Sequence, residues 1–361
     1  MICHTVFPFK PHRGTVVVYY STRPFDSQAA MTMTDVLPTA RDIEEAHARL
    51  KEWLTSTPVL ESDALNLRAG SRVLIKAESL QHTGTFKIRG ALNRLFQLSH
   101  EERSAGVVAF SSGNHAQGVA MASKWLGVEA TIVMPKDAPK IKQFNTRTLG
   151  AEIVLYDRYT EDREHIAAKI AQETGAALVP AFDHPDIIVG QGTVGIEIAR
   201  HAYDEGLELN AFYCPCGGGG LVAGCALSVN SIFEKCEIYA VEPESYDDTR
   251  RSLEAGERQM VSGHPATICD ALMAPMPGAI TFAINREALA GGLTVTDTQT
   301  AHAVAFAAHH LKLVLEPAGA VALAAVLGGV AQDLDCVAII LSGANIDHEQ
   351  FLQILDDYPD P

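Results

Sequence analysis

Apolar residues along this chain recur with two periods, and the switching between them lays out the elements. Ile43, Ala46, Leu50 and Leu54 repeat at helical spacing behind Thr39 and Asp42, a capping-box pair, and Thr57-Pro58 closes that helix. Val73 to Glu78 alternates and reads as a strand, while Leu92, Leu95, Phe96 and Leu98 suit an amphipathic helix. Short apolar strands follow at Val107 to Phe110, Ala130 to Met134, Glu152 to Leu155 and Ala177 to Pro180. Between them lie helices over Asn114 to Leu126, Ile141 to Leu149 and Glu161 to Thr174. A second series runs helix Thr193 to Tyr203, strand Ala211 to Cys214, helix Leu221 to Phe233 and strand Ile238 to Val241. Ser262 to Leu293, rich in Gly, Pro and Ala, reads as irregular. Thr296 or Asp297 then caps a helix to Leu313, Pro317 opens another, and strand Val337 to Leu341 and helix Asp347 to Leu355 finish the pattern.

Strands alternating with helices of this length need crossover connections and build parallel sheets covered on both faces. The expected fold is α/β with two open, twisted parallel-sheet domains. Residues 105–183 form the smaller one, inserted in a larger one made of 34–104 and 184–361. Ligands in such sheets bind beyond the carboxyl ends of strands, which directs attention to the loops after Phe110, Cys214 and Leu341.

Composition narrows the function classes. The chain has 361 residues, 47% of them apolar, and a net charge of 28 − 44 = −16, which repels nucleic acid and anionic lipid and sets both aside as partners. Seven cysteines, an odd number thinly spread, fit a reducing cytoplasm; Cys214-Pro215-Cys216 has no second pair to complete a zinc site. No apolar run reaches the roughly 20 residues a membrane helix needs. Residues 1–33 are expected to be a disordered extension, or the result of a start codon assigned too early with Met31 or Met33 as the functional start; a transit peptide is the alternative.

Four loops carry chemistry. Lys87 stands just inside a helix N-terminus, where the macrodipole disfavours an ammonium, and a lysine that gives up its proton can form a Schiff base with an aldehyde. Gly217, Gly218, Gly219 and Gly220, followed by Leu221, sit where a strand ends and a helix begins. Bare N–H groups and the helix dipole there suit a phosphate, and the absence of a Gly-Lys-Ser/Thr ending argues against nucleoside triphosphates. Gly190-Gln191-Gly192-Thr193-Val194-Gly195 satisfies the dinucleotide pattern, but the next strand ends in Cys-Pro-Cys rather than an acid, so these glycines read as helix-packing positions. Ser111-Ser112-Gly113-Asn114-His115 opens a helix with hydroxyls and N–H groups that can grip a substrate carboxylate, and the Asn114 amide can donate to a phenolate-like oxygen. His115 reads as structural rather than as a base. Ser342, in Ser-Gly-Ala-Asn after the last strand, offers a neutral hydroxyl to a ring nitrogen.

These motifs, in this order and spacing, resemble the fold-type II pyridoxal-phosphate enzymes, and more narrowly the threonine/serine dehydratases and serine racemases, over about Arg41 to Asp347. The resemblance implies pyridoxal 5′-phosphate as cofactor, with Lys87 as its Schiff-base lysine and Phe86 packed beside it. It further implies Asn114 on the 3′-oxygen, Gly217 to Gly220 on the phosphate, Ser342 at the ring nitrogen and Glu316 as an acid near the ring. Ser112 matches the acid/base on the opposite face of the substrate. Metal-activated relatives would place Mg²⁺, Mn²⁺ or Ca²⁺ on Glu242, the Tyr246 carbonyl and Asp248; a solvated acidic turn is the alternative. Thr85 and Ala344 depart from the relatives' Ser and Gly, and the family's regulatory C-terminal domain is not expected. The implied activity is a cytoplasmic, homodimeric ammonia-lyase turning a β-hydroxy amino acid such as threonine or serine into a 2-oxo acid and ammonia. Dehydration of 3-hydroxyaspartate, phenylserine or an ectoine-pathway intermediate, serine racemisation, and a non-catalytic binding protein on the same fold remain open alternatives.

Overall fold

Ten strands fall into two sheets in the computed structural model, which describes residues 37–111, 113–138 and 140–359. The extension expected over 1–33 and Ser112 lie outside the described residues. The larger sheet contains β1 (Val59–Leu60), β2 (Arg72–Ala77), β7 (Ala211–Pro215), β8 (Glu237–Pro243), β9 (Gly291–Val295) and β10 (Cys336–Leu341), in the order β1-β2-β10-β7-β8-β9. Only β1 runs antiparallel. The smaller sheet contains β3 (Val107–Phe110), β4 (Ala130–Pro135), β5 (Glu152–Tyr156) and β6 (Ala177–Leu178), all parallel, in the order β5-β4-β3-β6.

Unbroken apolar runs in β7 and β10 follow from helices on both faces, and every residue of these two strands is buried. The first helix, Ala40–Leu50, opens on the expected capping box: the Thr39 hydroxyl accepts from the Asp42 N–H, and the Asp42 carboxylate accepts from the Thr39 N–H at 2.8 Å.

Helix Lys87–Phe96 is anchored by charge as well as packing. Fully buried Arg89 forks onto Glu78 at 2.7 and 2.8 Å and onto Glu197 at 2.7 and 2.9 Å, while Lys76 reaches Glu197 at 2.7 Å. Two cations thus meet two carboxylates, and truncating one of them would strand a buried charge. The Glu197 carboxyl is held at about 2 although burial, the largest influence on it, pushes upward; the Arg89 charge and its hydrogen bonds outweigh that.

Gly190, Gly192 and Gly195 lie within one helix, Pro185–Asp204, which starts before the expected Thr193. A Cβ on them would come within 2.6 Å of Gly90, 2.8 Å of Gly224 and 2.4 Å of Ser228, so they permit close helix contacts. The stretch expected to be irregular holds helix Ala279–Ala288 and β9. The helix expected to reach Leu313 leaves α geometry after Phe306, continues as a π turn over Ala307–Leu311, and stops where Lys312 adopts φ 58°. No helix among the described residues is long and apolar enough to cross a membrane.

Candidate active site

The turn before Lys87 and the loops after β3, β7 and β10 converge on one cavity of about 180 Å³. Lys87 begins helix Lys87–Phe96, and its Nζ donates to the Ala181 carbonyl at 2.9 Å and stands 5.2 Å from the Phe86 ring centre. Its pKa is pushed down to about 8, chiefly by loss of water around the ammonium and against the pull of Glu316.

Gly217 to Gly220 line the same cavity as Lys87 and lead into helix Gly220–Asn230, whose first N–H groups have no acceptor inside the helix. Side chains are excluded here by what packs against the loop, including Phe182, which itself lines the cavity. A Cβ on Gly218 would strike the Phe182 ring at 2.4 Å, one on Gly220 would meet Phe182 at 3.0 Å, and Gly219 has φ +90°. The loop is braced by Thr281, whose hydroxyl donates to the Gly218 carbonyl at 2.8 Å. Leu221 completes this wall.

From the loop after β3, Ser111, Gly113, Asn114 and His115 line the cavity, while Ser112 lies outside the described residues. The Ser111 hydroxyl accepts from the Gly113 N–H at 3.2 Å. Asn114 donates to Glu316 Oε1 at 2.5 Å. His115 bonds the Val179 carbonyl through Nε2 at 2.8 Å, and since a carbonyl only accepts, Nε2 carries the proton. Burial, aided by the Lys87 charge, lowers its pKa to about 3, so it stays a neutral structural donor.

Glu316 caps helix Pro317–Leu327 with its backbone and turns a buried carboxyl toward the cavity. Its Oε2 has no partner, and burial raises its pKa to about 7. Ser342 is buried at the cavity wall, its carbonyl accepting from Thr85 Oγ1 at 3.1 Å and from the Phe86 N–H at 3.3 Å.

Other residues of this region escaped sequence reasoning. Lys142 pairs with Asp270 at 2.8 Å on the cavity wall, and Arg163 lies there with its guanidinium 5.4 Å from the Phe110 ring centre and in no ion pair among the described residues. No pattern distinguishes Lys142 from Lys140 beside it. Asp183 accepts from the N–H groups of Ala279, Ile280 and Thr281 at 2.8, 2.8 and 3.2 Å and so caps the helix behind the glycine loop; only its neighbour Pro185, a helix-start signal, hinted at a junction.

The acidic stretch lies away from this cavity. Glu242 is fully buried and accepts from the N–H groups of Thr249 and Arg250, both at 2.9 Å, at the start of helix Asp248–Ala255. Asp248 is fully buried, neither carboxylate oxygen has a partner, and Tyr246 is buried in the preceding turn. Burial raises the two carboxyls to about 8 and about 7, and the nearness of Asp248 adds to the rise at Glu242. Burial excludes a solvated acidic turn for this pair. No cluster of three or more His, Cys, Asp or Glu side chains among the described residues is arranged to hold a metal.

The chain is 43% identical to the L-threo-3-hydroxyaspartate ammonia-lyase of Saccharomyces cerevisiae, over 90% of its own length and 98% of the relative's. It is 39% identical to a serine racemase of Schizosaccharomyces pombe, over 89% and 98% of the two chains. The solved structure of threonine deaminase isoform 2 from Solanum lycopersicum, in its processed form, superposes with a TM-score of 0.81 at 32% identity, covering 89% of this chain and 96% of that one. The family model described as "Pyridoxal-phosphate dependent enzyme" matches residues 50–343, and with the relatives' coverage this shows that the chain belongs to the pyridoxal-phosphate dependent enzymes.

Proposed function

We propose that this chain is an ammonia-lyase that removes water from a β-hydroxy amino acid and yields a 2-oxo acid and ammonia. The observation that carries the reading is a desolvated lysine, Lys87 with a pKa of about 8, lining one cavity with the side-chain-free Gly217–Gly220 loop and the unpartnered carboxylate oxygen of Glu316. These residues fit pyridoxal phosphate: an amine for its aldehyde, a helix N-terminus for its phosphate and Phe86 to pack beside its ring. Asn114 would donate to the ring oxygen, and the Ser342 hydroxyl would face the ring nitrogen. When bound, the cofactor supplies an electron sink for the pair released as the α C–H bond breaks.

The chain's own groups supply the proton handling and the orientation. A pKa of about 8 leaves part of Lys87 neutral near pH 7, as a base for the α-proton requires. Near the same pH, Glu316 can hold a proton at Oε2. Ser111, Gly113, Asn114 and His115 would orient the α-carboxylate together with Ser112, the proposed acid/base of the opposite face. We assign residues 34–104 with 184–361 to the larger domain and 105–183 to the smaller, and we take a cytoplasmic homodimer, which the family resemblance implies, as the working assembly.

One observation favours 3-hydroxyaspartate among the substrates: Arg163 lines the cavity without an ion-pair partner among the described residues, and a second substrate carboxylate would give it one. Asp248, buried with both oxygens unpartnered beside Glu242, supports the proposal that a divalent cation binds Glu242, Asp248 and the Tyr246 carbonyl.

The test incubates the pyridoxal-phosphate-loaded protein with L-threonine, L-serine and the 3-hydroxyaspartate isomers, with keto acid, ammonia and D-isomer measured. Keto acid and ammonia in equal amounts are expected. D-isomer as the main product would replace the lyase reading by a racemase, and turnover of none would replace it by a binding protein.

A further inference from the structure

Asn345 touches the cavity only through another residue. Its Nδ2 donates to the Thr83 carbonyl at 2.9 Å and to Asn114 Oδ1 at 2.8 Å. A peptide carbonyl accepts and cannot donate, so the Thr83 oxygen requires nitrogen opposite it and fixes which way round the Asn345 amide stands. That nitrogen offers only hydrogens to Asn114, which therefore answers with its oxygen. The Asn114 nitrogen is then turned to Glu316 Oε1, at 2.5 Å, with its second hydrogen left for the cavity that Asn114 lines. Polarity passes from one backbone carbonyl through two amides, each step dictated by the one before.

The tie is not needed merely to hold the two loops together. Thr85 bridges Gly343, the Phe86 N–H and the Thr85 hydroxyl both donate to the Ser342 carbonyl, and the Ala344 N–H donates to the Gly84 carbonyl at 2.8 Å. The fit is close as well, since a Cβ on Gly84 would come within 2.9 Å of Asn345 Oδ1. Thr83, whose carbonyl starts the chain, holds the left-handed φ of 64° uncommon for a residue with a Cβ.

We infer that Asn345 is a positioning residue that locks Asn114 as a hydrogen-bond donor toward the cavity. This rests on the proposed reading of the cavity as a pyridoxal-phosphate site, in which the oxygen facing Asn114 needs a donor. Without Asn345, Glu316 Oε1 alone still calls for the Asn114 nitrogen, and whenever that oxygen carries the Glu316 proton the amide can turn over and present its own oxygen to the cavity, where it would repel the ligand's.

The experiment titrates the full-length apo protein and its N345A and N345D variants with pyridoxal phosphate, following the visible band, and records the unfolding midpoint of each apo protein. Alanine leaves Glu316 alone to orient Asn114, and aspartate, nearly the same shape as asparagine, demands the reversed orientation. Affinity is expected to fall about threefold for N345A and about tenfold or more for N345D, without following the order of the unfolding midpoints. An N345D affinity equal to or better than that of N345A would overturn the inference, because shape alone would then decide. If N345D does not fold, an N345A affinity equal to that of wild type would overturn it. Wild type that binds no pyridoxal phosphate would instead remove the reading of the cavity itself.

Discussion

Lys87 owes its reactivity to the removal of water more than to any partner. The one opposing influence is Glu316, whose charge favours the ammonium and holds the pKa up at about 8. Only the neutral amine attacks an aldehyde, so the rate at which apo protein captures pyridoxal phosphate is expected to rise about tenfold per pH unit below 8 and to flatten above it. Glu316→Gln removes the charge that favours the ammonium, so the plateau should be reached at lower pH; stopped-flow absorbance across pH 6 to 9 checks both curves. Lys87→Ala is expected to lose the borohydride-reducible visible band altogether. Arg163, exposed at the cavity, is the residue to which the proposed reading gives the second carboxylate of 3-hydroxyaspartate. For Arg163→Ala the KM for 3-hydroxyaspartate should rise about tenfold or more, while that for L-serine stays within about twofold. Equal losses on both substrates would show that Arg163 acts through the cavity's shape.

At the scale of elements, the glycine loop stays free of side chains because residues of other segments pack directly against it. Gly218→Ala would drive a methyl into the Phe182 ring, a clash worth about 1–3 kcal/mol of overpacking, and the loop would have to move away from its cradle position. Titration of this variant should show pyridoxal phosphate bound at least about tenfold more weakly, with recovery in Gly218→Ala/Phe182→Ala; no recovery would mean that Phe182 is not the obstacle. Such long-range support also explains which parts of the molecule the sequence discloses. Val107–Phe110 and Asn114–Leu126 have the bounds that periodicity gives, because their apolar spacing and their Gly and Pro neighbours are local signals. Helix Ala279–Ala288 is capped by Asp183, far earlier in the chain, and β9 starts with two glycines at a sheet edge, so neither leaves a local trace. Gly190 and Gly192 delay the helix that propensity would start, whereas close packing on Gly90 and Gly224 sustains it from Pro185. The loops bearing Lys87, Asn114, the four glycines and Ser342 were legible because each joins a strand end to a distinctive motif. Lys142, Asp270 and Arg163 reach the same cavity through tertiary contacts alone.

For the whole molecule, buried carboxyls set the dependence of stability on pH. Glu242, Asp248 and Glu316 have folded pKa values raised to about 8, 7 and 7, well above those of an unfolded chain. The folded state therefore holds their protons more tightly, and the stability they contribute is present at low pH and lost as pH rises through 7 and 8. The groups that push the opposite way act outside that window. His115, lowered from 6.5 to about 3, and His47, also lowered by burial, cost stability only below 6.5, as do the depressed carboxyls such as Glu197, and the effect of Lys87, lowered from 10.5 to about 8, changes only above 8. Between pH 6.5 and 8 the carboxyls act without that opposition, so the unfolding midpoint of the apo protein in a chelating buffer should fall by several degrees. Asp248→Asn removes one of the buried acids and relieves the rise at its neighbour, so the fall should be markedly smaller. A divalent cation makes the opposite demand, since it binds the ionised pair and releases their protons. Millimolar Mg²⁺, Mn²⁺ or Ca²⁺ should therefore restore the wild-type midpoint at pH 8, have little effect at pH 6, and do nothing for Asp248→Asn. Calorimetric scans at the two pH values decide the matter: a midpoint indifferent to cations at pH 8 would leave Glu242 and Asp248 as a proton-sharing pair inside the fold and would withdraw the metal site.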